Sequence, residues 1–441
     1  KMSGDCAVAI DFGTTYFRVC ICRQVDFELI KNKFEQPKTP SCVAYVQQRN
    51  QWLVGEEAKR QAPENIANTF FSSKRMLGRP FGYIEDLEEM KYRLFEIKDE
   101  NGKAKLIVKG EERTIFPIEI VARILCEAKT MAEEKLGPVV TKAVIAVPAC
   151  FDSDQREHTI LAARVAGLQV SLINDTMAAA IAYMNVFRPD ICTENLMVVS
   201  VGSGSYDVSI IAKDDDTFKE QRLTFGEKFG GQDIDARLAE YYYQKLDINS
   251  KIEPGNKFRF VQECVKAKER LSECDSTIFS AQSLDKDIIF KMTTEHLKEA
   301  LKSTNIISGI KNAVDEALKK YANVSFVLIG GSTRMKCIQE CVPKERLVSN
   351  VEEAVAYGAA YYAYKSLNDI CPILTSSVPP MACLQDTRLN GPDDNDIEII
   401  RTIIKDNEAV HPSFQADVGS QVDQSYIIQA VQIPFQHCIG M

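Results

Sequence analysis

Six residues near the start of the chain bring together groups that can do chemistry: Asp11-Phe12-Gly13-Thr14-Thr15-Tyr16. The apolar β-forming run Ala7-Val8-Ala9-Ile10 precedes them. Phe17-Arg18-Val19-Cys20-Ile21-Cys22 follows, alternating as a strand covered on one face does. The pattern predicts strand, tight turn, strand. Gly13 lets the backbone approach a bound group closely, and Thr14 and Thr15 set hydroxyls beside the free N–H groups of the turn. Asp11 ends the first strand facing the same space. Donors with one carboxylate suit phosphate accompanied by magnesium. A single short motif leaves an ordinary hairpin with a polar turn open as the plain alternative.

The chain then repeats the device. Leu196-Met197-Val198-Val199 runs into Ser200-Val201-Gly202-Ser203-Gly204-Ser205-Tyr206, and Asp207-Val208-Ser209-Ile210-Ile211 returns as an alternating strand. Two such hairpins about 190 residues apart predict two related halves closing on one nucleotide. A third glycine turn, Gly330-Gly331-Ser332-Thr333-Arg334, follows the strand-like run Ser325–Ile329.

Other elements must position these turns. Residues 31–117 read as a strand-poor insertion, with an edge strand opened by Pro40 across Thr39–Tyr45 and helices across Ala58–Ala62 and Ile66–Leu77. Ile118 to Leu136 is amphipathic, Ala143–Val147 is a buried strand stopped by Pro148, and Asp152 or Ser153 caps a helix ending near Gly167. A strand at Val170–Ile173 and a helix from Thr176 complete a βαβα series, which predicts a largely parallel or mixed sheet. Gly226–Gly231 is a glycine-rich turn before a helix starting near Asp233, and helix N-termini attract phosphate. Residues 240–322 are rich in lysine and glutamate, a pattern usually belonging to solvated faces. Farther on, Ile397–Lys405 and Tyr426–Val431 read as strands.

Composition narrows the classes. The 441 residues carry a net charge of −9, which argues against nucleic acid as the main partner. The 14 cysteines include no C-x-x-C, so free buried thiols are expected, and the four scattered histidines suggest no metal cluster. No apolar run is long enough to span a membrane and no signal-peptide pattern opens the chain, so a cytoplasmic protein without membrane partners is expected. A protein-kinase reading of Asp11-Phe12-Gly13 fails on position, because only ten residues precede it.

On these three turns the sequence resembles the seventy-kilodalton heat-shock chaperones, within the wider actin, sugar-kinase and chaperone ATPase fold. Lys74–Arg79, Val147–Phe151, Ala178–Tyr183 and Glu353–Ala360 match in family order, and the resemblance covers roughly residues 5–368. It implies an α/β, two-lobed, actin-like ATPase with a duplicated β-sheet core, and a short β-rich C-terminal tail. The lobes would be residues 5–187 and 188–368, the linker 369–378, and the tail 379–441 would resemble the start of a peptide-binding domain.

The resemblance further implies ATP or ADP with Mg2+ as cofactors. Nucleotide contacts would fall on Asp11, Gly13, Thr14, Thr15, Tyr16, Gly202, Ser203, Gly204, Ser205, Gly230, Gly231, Lys268, Ser272, Gly330, Gly331, Ser332, Arg334 and Glu352. Lys74 matches the lysine that reaches the transferred phosphate, with Asp175, Ser200 and Asp207 at the other catalytic positions. Asp11 and Asp175 would hold the metal through water. Pro148 with Arg156 would relay nucleotide state between domains. Unfolded or client polypeptides are the implied partners, with J-domain co-chaperones and nucleotide-exchange factors beside them.

Several positions depart from the family pattern. Ser200 stands where the family has Asp, and serine is no carboxylate base at neutral pH, although Asp207 is nearby to take over part of the role. Asp175 replaces Glu, and one methylene less draws the carboxylate back by roughly 1 Å. Glu269 stands where many members carry an adenine-stacking Arg, Val265 replaces a ribose-contacting Glu, and the Gly226–Gly231 turn is one residue short. Pro372 is expected to keep the linker from adding as a strand to the second lobe. Phosphate gripping should survive while hydrolysis falls by about 10²–10⁴-fold. A non-hydrolysing, nucleotide-regulated co-chaperone or scaffold is the competing reading.

Overall fold

The computed structural model describes residues 6–23, 26–87, 90, 93–111, 113–137, 139–187, 195–214, 217–226, 229–245, 254–281, 288–302, 305–321, 323–343, 347–350, 352–367 and 373–376. The described residues belong to one compact unit within residues 1–380, and residues 381–441 lie outside the described residues. The strands expected at Ile397–Lys405 and Tyr426–Val431 lie outside the described residues, as does Pro372.

Two sheets carry the unit, and their strands follow the same order and sense. In the first, Gln169–Asn174 lies parallel to Lys142–Val147, which lies parallel to Cys6–Phe12; Tyr16–Arg23 and Asp26–Ile30 then continue antiparallel. In the second, Leu347–Asn350, Val324–Ile329 and Asn195–Val201 run parallel, and Tyr206–Asp214 and Thr217–Gly226 continue antiparallel. The predicted repeat is thus a repeat of whole sheets. Parallel neighbours need crossovers: the helix Pro117–Leu136 lies on the connection that leads into Lys142–Val147, and Ser153–Val165 on the one between Lys142–Val147 and Gln169–Asn174. Asp152 caps the second of these, its carboxylate accepting from the Gln155 N–H at 3.0 Å.

One core lies between the sheets, built from Ala9, Ala146, Ile173, Val198, Val327 and two helices, Asp175–Ala182 and Ala354–Leu367. Small residues let those helices touch. A Cβ on Gly358 would lie 1.7 Å from the Ala178 carbonyl oxygen, so only glycine fits the crossing. A second core fills the other face of the second sheet with Phe260, Phe279, Phe326 and Tyr242.

The insertion differs from expectation. Residues 31–117 hold two three-stranded sheets: Gln51–Val54, Val43–Val46 and Thr69–Phe70, and Arg113–Ile115, Lys103–Val108 and Ile97–Glu100. Their strands are short, two to six residues each. In Lys103–Val108 the buried Ala104, Leu106 and Val108 alternate with lysines and Ile107, a period of two inside a lysine-rich run. The edge strand expected over Thr39–Tyr45 is broken at Ser41–Cys42 into Thr39–Pro40 and Val43–Val46.

Ile66–Leu77 is likewise not one helix. A 3₁₀ turn at Ile66–Asn68 leads to the strand Thr69–Phe70, then to one helical turn at Ser73–Met76. The Asn68 side chain joins the Lys109 backbone, donating to its carbonyl at 3.0 Å and accepting from its N–H at 2.7 Å. Ser72, at φ 58°, breaks any longer helix.

The linker corrects another expectation. Ile373–Ser376 adds to the second sheet as a strand parallel to Thr217–Gly226, with Ile373 opposite Thr217 and Ser376 opposite Glu220. Pro372 precedes the strand, and a proline before the first paired residue removes no ladder hydrogen bond.

Candidate functional site

The two central hairpins end on the same side of the core and open into a cleft of about 880 Å3. Asp11 sits at the end of its strand, paired across the hairpin with Arg18. The Ser41 hydroxyl donates to the Gly13 carbonyl at 2.8 Å and holds the first turn. In the second hairpin the matching pair is Ser200 and Asp207. The turn at Gly330, φ 87°, follows the parallel neighbour Val324–Ile329; a Cβ there would lie 2.4 Å from the Val201 carbonyl oxygen. Gly204 is equally confined, since a Cβ would meet the Thr14 hydroxyl at 2.6 Å. The three turns form a backbone cradle that added carbons would fill, and such Cβ-free loops suit phosphate.

Every expected site residue lines the cleft except Asp207, Gly230 and Arg156. Lys74 is buried, its ammonium donating to the Phe12 carbonyl. Burial pulls Lys74 below its ordinary pKa, opposed by Asp175 and Asp11. Burial pushes Asp11 up, opposed by Arg18 and Lys74, and pushes Asp175 up to about 6 despite Lys74. The Ser200 hydroxyl donates to Asp175 Oδ2 at 3.4 Å, while Asp207 is buried and is not part of the cleft lining. Two carboxylates and an ammonium on one floor are a donor set that fits a magnesium–phosphate group. Among the described residues no three His, Cys, Asp or Glu side chains group as a direct metal site.

The glycine turn before the second-half helix is placed differently from a free phosphate loop. Helix Gly231–Lys245 starts against the second hairpin: Gly231 N–H donates to the Gly202 carbonyl at 2.9 Å and Gln232 N–H to the Ser203 carbonyl at 2.8 Å. Gly230 N–H donates to Asp233 at 2.8 Å. These donors are engaged within the protein. Lys268 lines the cleft but pairs with Asp235 at 2.7 Å and donates to the Gly231 carbonyl at 3.1 Å. The Ser272 hydroxyl donates to the Lys268 carbonyl at 3.5 Å.

Arg156 lies behind the floor and touches the strand end that carries Asp175. It donates to the Phe151 carbonyl at 3.0 Å and to Asn174 Oδ1 at 2.8 Å. Asn174 donates in turn to Glu220 at 2.7 Å, and the Thr176 hydroxyl donates to the same carboxylate. Pro148 lines the cleft on the other side of Phe151.

Sequence reasoning missed Arg18. Its guanidinium bridges Asp11 at 3.3 Å and Glu352 at 3.0 Å, and Glu352 also takes Arg334 at 2.9 Å. The signal was available in the hairpin register, because the residue opposite Asp11 must share its face. Arg75 was missed too; it pairs, buried, with Asp233 at 3.1 Å and packs against Gly204.

Comparison with known proteins places these features. The family model described as "Hsp70 protein" matches residues 7–391. The chain is 35% identical over 376 residues to "Heat shock 70 kDa protein" of Ajellomyces capsulatus, covering 81% of this chain and 53% of that relative. A second protein with that name, from Neurospora crassa, is 35% identical over 390 residues, covering 84% and 60%. "Heat shock 70 kDa protein BIP3" of Oryza sativa subsp. japonica is 32% identical over 382 residues, covering 81% and 56%. The chain spans between about half and three-fifths of the length of these relatives.

Proposed function

Because the chain belongs to the Hsp70 family, we propose that it is the nucleotide-binding ATPase unit of a heat-shock-type chaperone. The two sheets have the family's actin-like ATPase fold. Members of the family bind ATP or ADP with magnesium and act on client polypeptides. For this chain the reading divides the unit into lobes at 5–187 and 188–368, with the nucleotide between them. The observation that carries it is the convergence of three glycine turns, Lys74 and two carboxylates on one cleft.

Backbone N–H groups of the Gly13–Thr15, Gly202–Ser205 and Gly330–Arg334 turns would hold the phosphates, and Lys74 would offset their charge. Asp11 and Asp175 would hold magnesium through water. When bound, magnesium-ATP supplies the phosphoryl group that passes to water. The chain's own residues then have to orient that water. Ser200 hydrogen-bonds Asp175 but cannot take a proton as a carboxylate does, so turnover is slow. That same geometry favours the second reading, a nucleotide-regulated co-chaperone or scaffold that hardly hydrolyses.

Arg156, bonded to Asn174 at the start of helix Asp175–Ala182, and Pro148 would pass nucleotide state toward the strand Ile373–Ser376. J-domain co-chaperones, exchange factors and unfolded clients are the proposed partners, and cytoplasm the proposed site of action. No helix among the described residues is long and apolar enough to cross a membrane. Calorimetry with magnesium-ADP tests the site directly: saturable heat is expected, and its absence at high protein concentration overturns the reading. Single-turnover ATP hydrolysis, with a peptide-binding assay alongside, separates the two readings.

A further inference from the structure

The cleft floor has an unusual charge balance. The ends of the two hairpins and the start of helix Asp175–Ala182 present Asp11 and Asp175 against Lys74 and Arg18, while Ser200 is neutral and Asp207 is not part of the lining. Glu352, held by Arg18 and Arg334, adds a third carboxylate and Arg334 a third cation, so three carboxylates meet three cations. A floor with no negative excess attracts a divalent cation weakly and a polyphosphate well.

Arg18 is the residue that sets the balance. Its side chain is 12% exposed and opens onto the cleft, on the same face as Asp11 because the two are directly opposed in the hairpin. One guanidinium nitrogen holds Asp11 at 3.3 Å and the other holds Glu352 at 3.0 Å. The matching position in the second hairpin is Asp207, so the duplicated backbone carries a cation in one half and a carboxylate in the other. Guanidinium is a weakly hydrated, multi-donor group suited to phosphate oxygens.

We infer that Arg18 is a phosphate-binding residue and a resident cation of the cleft, so that a nucleoside diphosphate binds here with little help from magnesium. The inference rests on the nucleotide-site reading above and deepens it. Arg18 takes over charge neutralisation that free magnesium would otherwise provide, and it occupies Asp11, one of the two metal-side carboxylates.

A merely structural ion pair makes a different prediction. Losing it would weaken nucleotide binding by the same factor with and without metal. The test is therefore calorimetric titration of the full chain with ADP, once in excess magnesium and once in EDTA, for the wild type, Arg18→Gln and Arg18→Lys. Wild-type affinity is expected to change less than about tenfold on removing magnesium. Arg18→Gln is expected to lose about 10- to 100-fold in EDTA, the scale of a hydrogen bond to a charged group, and less than about threefold in magnesium. Arg18→Lys, which keeps the charge, should stay near the wild-type ratio. Equal loss by Arg18→Gln in both conditions overturns the inference. So does wild-type binding that is present in magnesium and abolished in EDTA, a result that needs no variant to fold. Absence of ADP binding in both conditions overturns the nucleotide reading itself, and this inference with it.

Discussion

The first and second halves of the core share strand order and sense, yet the groups at their matching points differ. Asp11 faces Arg18 across the first hairpin, where Ser200 faces Asp207 across the second. The strand Lys142–Val147 ends at Pro148, and its counterpart Val324–Ile329 ends at Gly330. The outermost parallel strands run out toward Asp175 in one half and Glu352 in the other. Asp175 is touched by a serine hydroxyl at 3.4 Å; Glu352 is held by Arg18 and Arg334. The repeated backbone decides where a side chain can stand over the cleft. Which side chain stands there decides whether that point binds, braces or activates.

The largest effect should come from giving the second hairpin the carboxylate that the first one has. Ser200→Asp is expected to raise single-turnover ATP hydrolysis by about 10²–10⁴-fold, roughly 3–5 kcal/mol of barrier, with nucleotide affinity nearly unchanged. A base acts on the transition state and not on ground-state phosphate binding, so the rate and affinity should separate. Asp175→Glu alone should do less. The two together should exceed either, because Ser200 and Asp175 are in hydrogen-bond contact and such neighbours couple. A flat rate for Ser200→Asp would place the defect elsewhere, in Asp207 already acting or in lobe closure.

Next in size is the contrast between the two turns after matching strands. Gly330→Val forces a β-branched residue to φ 87° with its Cβ against the Val201 carbonyl. It should cost about 3 kcal/mol or more of stability and weaken ADP binding by over about 100-fold. Pro148→Ala, at the equivalent point, should cost less than about 1 kcal/mol and leave ADP affinity within about threefold. Denaturant melts and calorimetry on both variants decide it; equal losses would mean the two turns do the same job.

Much of this was legible because the apolar runs are long and the turns distinctive. Cys6–Phe12, Lys142–Val147 and Val324–Ile329 are buried strands whose β-branched and small residues leave little choice. The residues 31–117 were not legible, since strands of two to six residues are too short to show a clear period in a lysine-rich stretch. At the site, the glycine turns were readable from local sequence. Arg18 to Glu352 was not: that contact spans 334 positions and exists only because two sheets bring their ends together. Nor could sequence reveal that the first amides of Gly231–Lys245 would be engaged by Gly202 and Ser203. Such partners are set by tertiary packing.

The smallest effect concerns Asp175 and sharpens its contrast with Glu352. Burial holds the Asp175 carboxyl at about 6 in the folded chain, against an ordinary value of 3.8. The folded state therefore binds more protons than the unfolded state between those values, and stability from this group falls as pH rises. The cost is absent below about pH 4, grows through pH 4–6 and is complete above about 6. Two units correspond to about 3 kcal/mol, and water at the cleft-facing edge should reduce that to about 2 kcal/mol or less. Asp175→Asn removes the titration. Measured by denaturant unfolding without nucleotide, the variant should be the more stable protein at pH 7.5, and the gap should close toward pH 4. A gap that is constant across this range would mean that Asp175 keeps an ordinary carboxylate in the folded chain, and that Lys74 compensates its burial in full.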